Sequence, residues 1–200
     1  MFPPKNIVVS DDVSLEFDMS RNGCASLAFS IGPDEVKIDG FTDMKNSFHD
    51  FAFAAISAAS CGREGFIRFN LDGEPTTWRW TVHSCVTKSL GYFSNVRVEY
   101  FDDGNPVIID DQGQYVRRFP DVPGKVLFDA YCKSEAFSHA VRRAFEPLEK
   151  MGQTFEEVWC YHPFPTRTLA ALDAALDTPP PEMPGEEELG TLVLSTKKPL

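Results

Sequence analysis

His83 and Cys85 stand two residues apart, and Cys160 and His162 repeat that spacing further on, so four side chains of metal-ligating type are present. On a strand such a pair shares one face, and meeting the second pair at a helix end would close a tetrahedral site. Zinc pairs, however, come mostly as C-x-x-C or H-x-x-x-H, and the cysteines at 24, 61, 85, 132 and 160 include no such pair. Five widely spread cysteines also make no disulfide framework. The expectation is therefore reduced, mostly buried thiols, with no metal and no cofactor. A cysteine nucleophile needs a histidine or a helix N-terminus beside it. Cys61 falls at the wrong end of a helix, and the Cys160 and His162 spacing does not face one side of a helix. Glycines stand singly in turns, so no phosphate loop is present, and G-x-S-x-G is missing. These absences point away from an enzyme.

Carboxylates are the concentrated feature. Asp102 and Asp103, then Asp110 and Asp111, follow Glu99, with no Lys or Arg from 98 through 116. Asp in turns bonds local backbone, which gives the four a purely structural use. The ladder of oxygens and closing Glu of a calcium loop is not there. Together the five acids, Glu99, Asp102, Asp103, Asp110 and Asp111, would make a negative surface at one end of a sheet, able to steer and orient a basic protein. Nearby Tyr92, Phe93, Tyr100, Phe101 and Tyr115 alternate along strands, and any turned outward would anchor such a contact. Net charge is −11, and the segment from Asp177 onward holds only five of the 30 acids, so the acidity belongs to the folded part. That sign opposes a phosphate backbone, and nucleic-acid binding is not expected.

The elements that must position these groups follow from periodicity. Val13, Leu15 and Phe17, then Leu27, Phe29 and Ile31, then Val36 and Ile38 alternate with polar residues, and Asn22-Gly23 and Pro33-Asp34 punctuate them as a meander that Asp39-Gly40 ends. Met44, Phe48, Phe51, Ala52, Ala55 and Ala59 have helical spacing, which predicts a helix over 43–60 with Thr42 as its N-cap and Cys61-Gly62 closing it. Strands follow over 66–71, 76–82, 92–101, 106–109 and 115–119, with Trp78, Trp80 and Val82 on one face. A last strand over 125–132 leads into a helix capped by Ser134 that Pro147 kinks or ends. Thr154 and Glu157 have capping-box spacing for a short helix, and Thr166 starts the last one.

The fold class is thus α+β: a mostly antiparallel meandering sheet, one helix between two strand groups, and two to three C-terminal helices. Residues 1–176 form one domain, and 177–200 a Pro/Glu-rich linker and tail in which 189–195 could dock as an edge strand. The opening Met-Phe-Pro-Pro-Lys lacks a charged and apolar leader, and no run of about 18 apolar residues occurs, so a soluble cytoplasmic protein without a membrane partner is expected.

The run Gly73-Glu74-Pro75-Thr76-Thr77-Trp78-Arg79-Trp80, the strand from Val96 to Asp102, the late helix and His162-Pro163-Phe164-Pro165 resemble a loosely defined group of bacterial proteins, some of them similar to immunity proteins of polymorphic toxin systems. The resemblance spans 40–176 and implies a non-catalytic protein that binds and blocks a toxin domain, basic if charge is to match, such as a nuclease. It carries over no site residue. A second reading is an enzyme or small-ligand protein with a pocket between the sheet and the helix over 43–60, using Arg79, His83 or His162. A third is an assembly subunit that adds 189–195 to a neighbour's sheet.

Overall fold

The computed structural model describes residues 7–21, 23–42, 47–60, 65–73, 76–102, 107–109, 115–118, 123–159 and 162–180. In chain order the elements are β1 (Val9–Ser10), β2 (Val13–Arg21), β3 (Cys24–Ile31), β4 (Asp34–Thr42), α1 (Ser47–Ala59), β5 (Gly65–Asp72), β6 (Thr77–Thr87), β7 (Gly91–Phe101), β8 (Val107–Ile109), β9 (Tyr115–Arg118), β10 (Lys125–Lys133), α2 (Ser134–Glu149), α3 (Gln153–Val158) and α4 (Thr166–Leu176). The architecture is α+β with antiparallel sheets, one helix between strand groups and three helices after the last strand. β2, β3 and β4 form a three-stranded sheet, and β1-β10-β7-β6-β5 a five-stranded one, while β8 and β9 pair as a separate hairpin. β1 was not legible as a strand. It has two residues and pairs in parallel with Tyr131 and Cys132, more than a hundred positions along the chain.

Alternation sets which face each strand buries. β3 turns Ala25, Leu27, Phe29 and Ile31 inward and leaves Ser26, Ala28 and Ser30 on the other side. In β4 the period slips. Val36 and Ile38 point inward, and Phe41 does so again only because an extra residue enters between the Leu27↔Ile38 and Ala25↔Phe41 pairs. Gly40 takes a φ of 75°, a value that a side chain disfavours, and so absorbs this bulge. The strand therefore runs past Asp39-Gly40, where the sequence suggested an end. Thr42 closes β4 with its hydroxyl donating to the Asp72 carbonyl at 2.9 Å, and α1 begins at Ser47. Residues 43–46 and 61–62, where the start and closing of this helix were expected, lie outside the described residues.

The inner faces of both sheets and the apolar sides of the helices meet in one core. Its packing is aromatic. Phe29 of β3 lies edge-on to Trp80, Phe128 and Phe137, and Phe17 of β2 to Phe48, Phe51 and Phe145. Such pairs each add about 0.5–1.5 kcal/mol beyond the area they bury. Between the rings α1 presents Ala52, Ala55 and Ala58, small enough for α2 to come close. Ser138 of α2 donates its hydroxyl to the Ala55 carbonyl at 2.8 Å.

Two expected helix starts are corrected. Ser134 is the first helical residue rather than the cap of α2, and its hydroxyl is buried against that of Ser94 at 2.9 Å, tying the helix to β7. In α3 the helix begins at Gln153 after Gly152, whose φ is 56°, and no side chain caps it, so Thr154 and Glu157 form no capping box. Pro147 sits in the last turn of α2, where its missing N–H costs the helix one bond just before it ends at Glu149.

Candidate functional site

The five acids expected to form one surface have different fates. Val96 and Val98 of β7 face the core, so Asn95, Arg97, Glu99 and Phe101 occupy the opposite face of the five-stranded sheet. That face is not open at Glu99, which is 6% exposed. Register places Arg79 of β6 directly across from it. The Arg79 Nε donates to Glu99 Oε2 at 3.0 Å, with a second contact from its Nη2 at 2.9 Å, and its guanidinium lies 4.6 Å from the centre of the Phe101 ring. Arg97 reaches the other Glu99 oxygen at 3.4 Å and Asp129 at 3.2 Å, and Asn95 donates to Asp129 at 2.7 Å. Glu99 is therefore an interior partner of two arginines and offers a binding protein almost no surface.

Asp102, just past the end of β7, is exposed and accepts a hydrogen bond from the Tyr100 hydroxyl, which raises the Tyr100 pKa above its ordinary value. Asp103, Asp110 and Asp111 lie outside the described residues.

A second acidic surface was not singled out from the sequence. On the solvent side of the three-stranded sheet the middle strand offers the small residues Ser26, Ala28 and Ser30 beyond Cys24, while the flanking strands carry Glu16 and Asp18 on β2 and Glu35, Lys37 and Asp39 on β4. The small central residues leave a shallow depression of about 200 Å³, walled by Glu16, Asp18, Lys37 and Asp39. Lys37 is held by Glu35 at 3.2 Å, so four carboxylates face one ammonium already in use. Every one of these residues occupies an ordinary outward position in an alternating strand. Only the register that brings three strands together turns them into a patch.

The space between α1 and the five-stranded sheet, where a pocket was the alternative expectation, is filled. Phe51 lies 4.8 Å from Phe69 and 5.1 Å from Trp80, ring centre to ring centre. Arg79 and His83 project from the other side of that sheet. A cleft of about 670 Å³ opens elsewhere: where the ends of α1 and α4 meet the start of α2, lined by Asp11, Tyr92, Lys133, Glu135, His139 and Asp177 among others.

His83 and Cys85 share the outer face of β6, with Cys85 Sγ 3.7 Å from His83 Nδ1, while Cys160 lies outside the described residues. No group of three or more His, Cys, Asp or Glu is placed to hold a metal ion among the described residues. Among these residues, too, no helix is long and apolar enough to cross a membrane. Cys132 is fully buried and desolvation pushes its pKa up to about 12. Iodoacetamide at pH 8 is accordingly expected to alkylate Cys85 in the folded protein and to spare Cys132 until denaturant is added; peptide mapping that finds both modified at equal rates would contradict the burial. The same shift fixes a sign. The unfolded chain loses this proton near the ordinary value of 9.0 and the folded chain only near 12, so the contribution is complete below pH 9 and fades as pH rises through that window.

Comparison with family models, curated proteins and solved structures returned no match.

Proposed function

We propose that this chain is a non-catalytic protein-binding module of the cytoplasm that docks on a basic protein domain and blocks it, as an immunity protein does to a toxin. The observation that carries the reading is the solvent face of the three-stranded sheet: a flat floor of Ser26, Ala28 and Ser30 between Glu16 and Asp18 on one side and Glu35 and Asp39 on the other. A floor without bulky side chains lets another protein approach the strands closely. Walls with four carboxylates to one lysine favour a basic surface and speed its arrival, through a field that salt screens over about 10 Å. Asp102, exposed just past the end of β7, offers one further carboxylate to such a partner.

The test compares captures from native lysate by the wild-type chain and by two variants. One neutralises the sheet face (Glu16→Gln, Asp18→Asn, Glu35→Gln, Asp39→Asn) and the other the turn acids (Asp102→Asn, Asp103→Asn, Asp110→Asn, Asp111→Asn). The wild type is expected to retain one stoichiometric basic protein that salt releases. The sheet-face variant should lose it by at least about tenfold in affinity, with a flatter salt dependence. Equal capture by wild type and both variants would remove acidic docking from the account.

A further inference from the structure

The cleft at the helix ends has a chemistry of its own, independent of the acidic sheet face. Three carboxylates, Asp11, Glu135 and Asp177, line it against one ammonium, that of Lys133. Lys133 is held in place at the rim, with its Nζ donating one hydrogen bond to the Leu90 carbonyl at 2.6 Å. His139 stands 3.6 Å from Glu135. Asp11 and Asp177 have no side-chain hydrogen bond or ion pair among the described residues, which leaves their oxygens available to a ligand.

Backbone electrostatics add to this. α1 ends at Ala59 and α4 at Leu176, both on the cleft wall, and neither helix carries a basic residue in its last turn. Their terminal carbonyls therefore present the negative ends of two helix dipoles without a compensating cation of their own. α2 brings a positive end to the same place, and Glu135 sits in its first turn to offset it. Between the charged groups the wall is apolar and short, made by Ala59, Ala136, Ala175 and Leu176. A volume of about 670 Å³ falls in the range of small-ligand sites.

We propose that this cleft binds an organic cation: a primary ammonium or guanidinium group on a short alkyl chain. The alkyl part lies against the alanines and Leu176, and the cationic head donates charge-assisted hydrogen bonds to the carboxylates of Asp177, Asp11 and Glu135. An anion of the same length meets three carboxylates, and a neutral alcohol forfeits those bonds.

Titration of the full chain with agmatine, followed by calorimetry, tests this, with glutarate and n-butanol as anionic and neutral controls. Agmatine is expected to saturate one site while the controls do not. Asp177→Asn and Glu135→Gln should each weaken it about tenfold, the cost of one charge-assisted hydrogen bond. Both acids are exposed, so an unchanged melting temperature confirms that the variants remain folded. A blocked tetralysine peptide then separates the sources: displacement of agmatine assigns the cation to a polypeptide side chain, and failure to displace it assigns a free amine. Binding of glutarate as tight as that of agmatine, no saturable agmatine binding, or agmatine binding indifferent to both substitutions would overturn the proposal.

Discussion

Phe48→Ala is expected to lower the free energy of unfolding by about 3–5 kcal/mol, a large share of what a domain of this size possesses. Phe48 is fully buried on α1, and its ring meets five others: Phe17 at 4.9 Å, Phe41 at 6.1 Å, Phe145 at 6.0 Å, Phe155 at 5.5 Å and Trp159 at 4.9 Å. Those rings come from β2, β4, α2, α3 and the residue that ends α3, so the side chain is where both ends of the sequence close on the central helix. Removing it opens a void bounded by stiff rings that cannot collapse into it, the condition in which truncation costs most. The surroundings have little slack. Among the described residues the indole N–H groups of Trp80 and Trp159 are buried without a protein acceptor, and tight aromatic packing holds both indoles against α1. Phe53, on the same helix but 50% exposed, supplies the control: Phe53→Ala should cost under about 1 kcal/mol. Urea titrations of the two variants with a common slope check the pair. Equal losses would mean that α1 is not anchored as described.

How much of this was legible depends on whether a feature is local. Val13, Leu15 and Phe17, or Ala25, Leu27, Phe29 and Ile31, declare their face by alternation alone, and α1 declares itself by the spacing of Phe48, Phe51, Ala52 and Ala55. Caps were less readable. Ser134 and Thr154 have the right types, but the start of a helix is decided by where the preceding backbone can turn, at Lys133 in extended conformation and at Gly152 with positive φ. The site was the least readable part. Outward in a strand is not the same as exposed, and nothing near Glu99 in sequence shows that Arg79, twenty positions earlier, will lie across from it. The acidic sheet face and the cleft are hidden for the same reason. Glu16, Asp18 and Asp39 look like ordinary solvated positions until the register of β2, β3 and β4 assembles them, and Asp11 meets Glu135 and Asp177 only through the tertiary fold.

The Arg79 and Glu99 pair yields the other large effect, and it separates stability from binding. Both groups are nearly excluded from water, at 4% and 6% exposure, so each charge is tolerated because the other is present. Glu99→Ala leaves a guanidinium buried opposite a methyl group, and Arg79→Ala leaves a carboxylate in the same position. Either single change is expected to cost about 3–5 kcal/mol, as breaking a buried pair from one side does. The combined Arg79→Met and Glu99→Leu change removes both desolvation penalties and fills the space with apolar atoms beside Phe101. It should therefore cost clearly less than the single Arg79→Met and Glu99→Leu replacements added together, by a coupling of about 0.5–3 kcal/mol in a double-mutant cycle. Additive losses would show that the two charges are solvated independently. The same variants decide what Glu99 is for. An interior partner changes the unfolding midpoint and leaves affinity for a basic protein untouched under conditions where the variant is folded, whereas a contact residue does the reverse. Because its carboxylate already receives Arg79 from the neighbouring strand and Arg97 from its own, Glu99 is expected to behave in the first way, and neutralising Glu16, Asp18, Glu35 and Asp39 in the second.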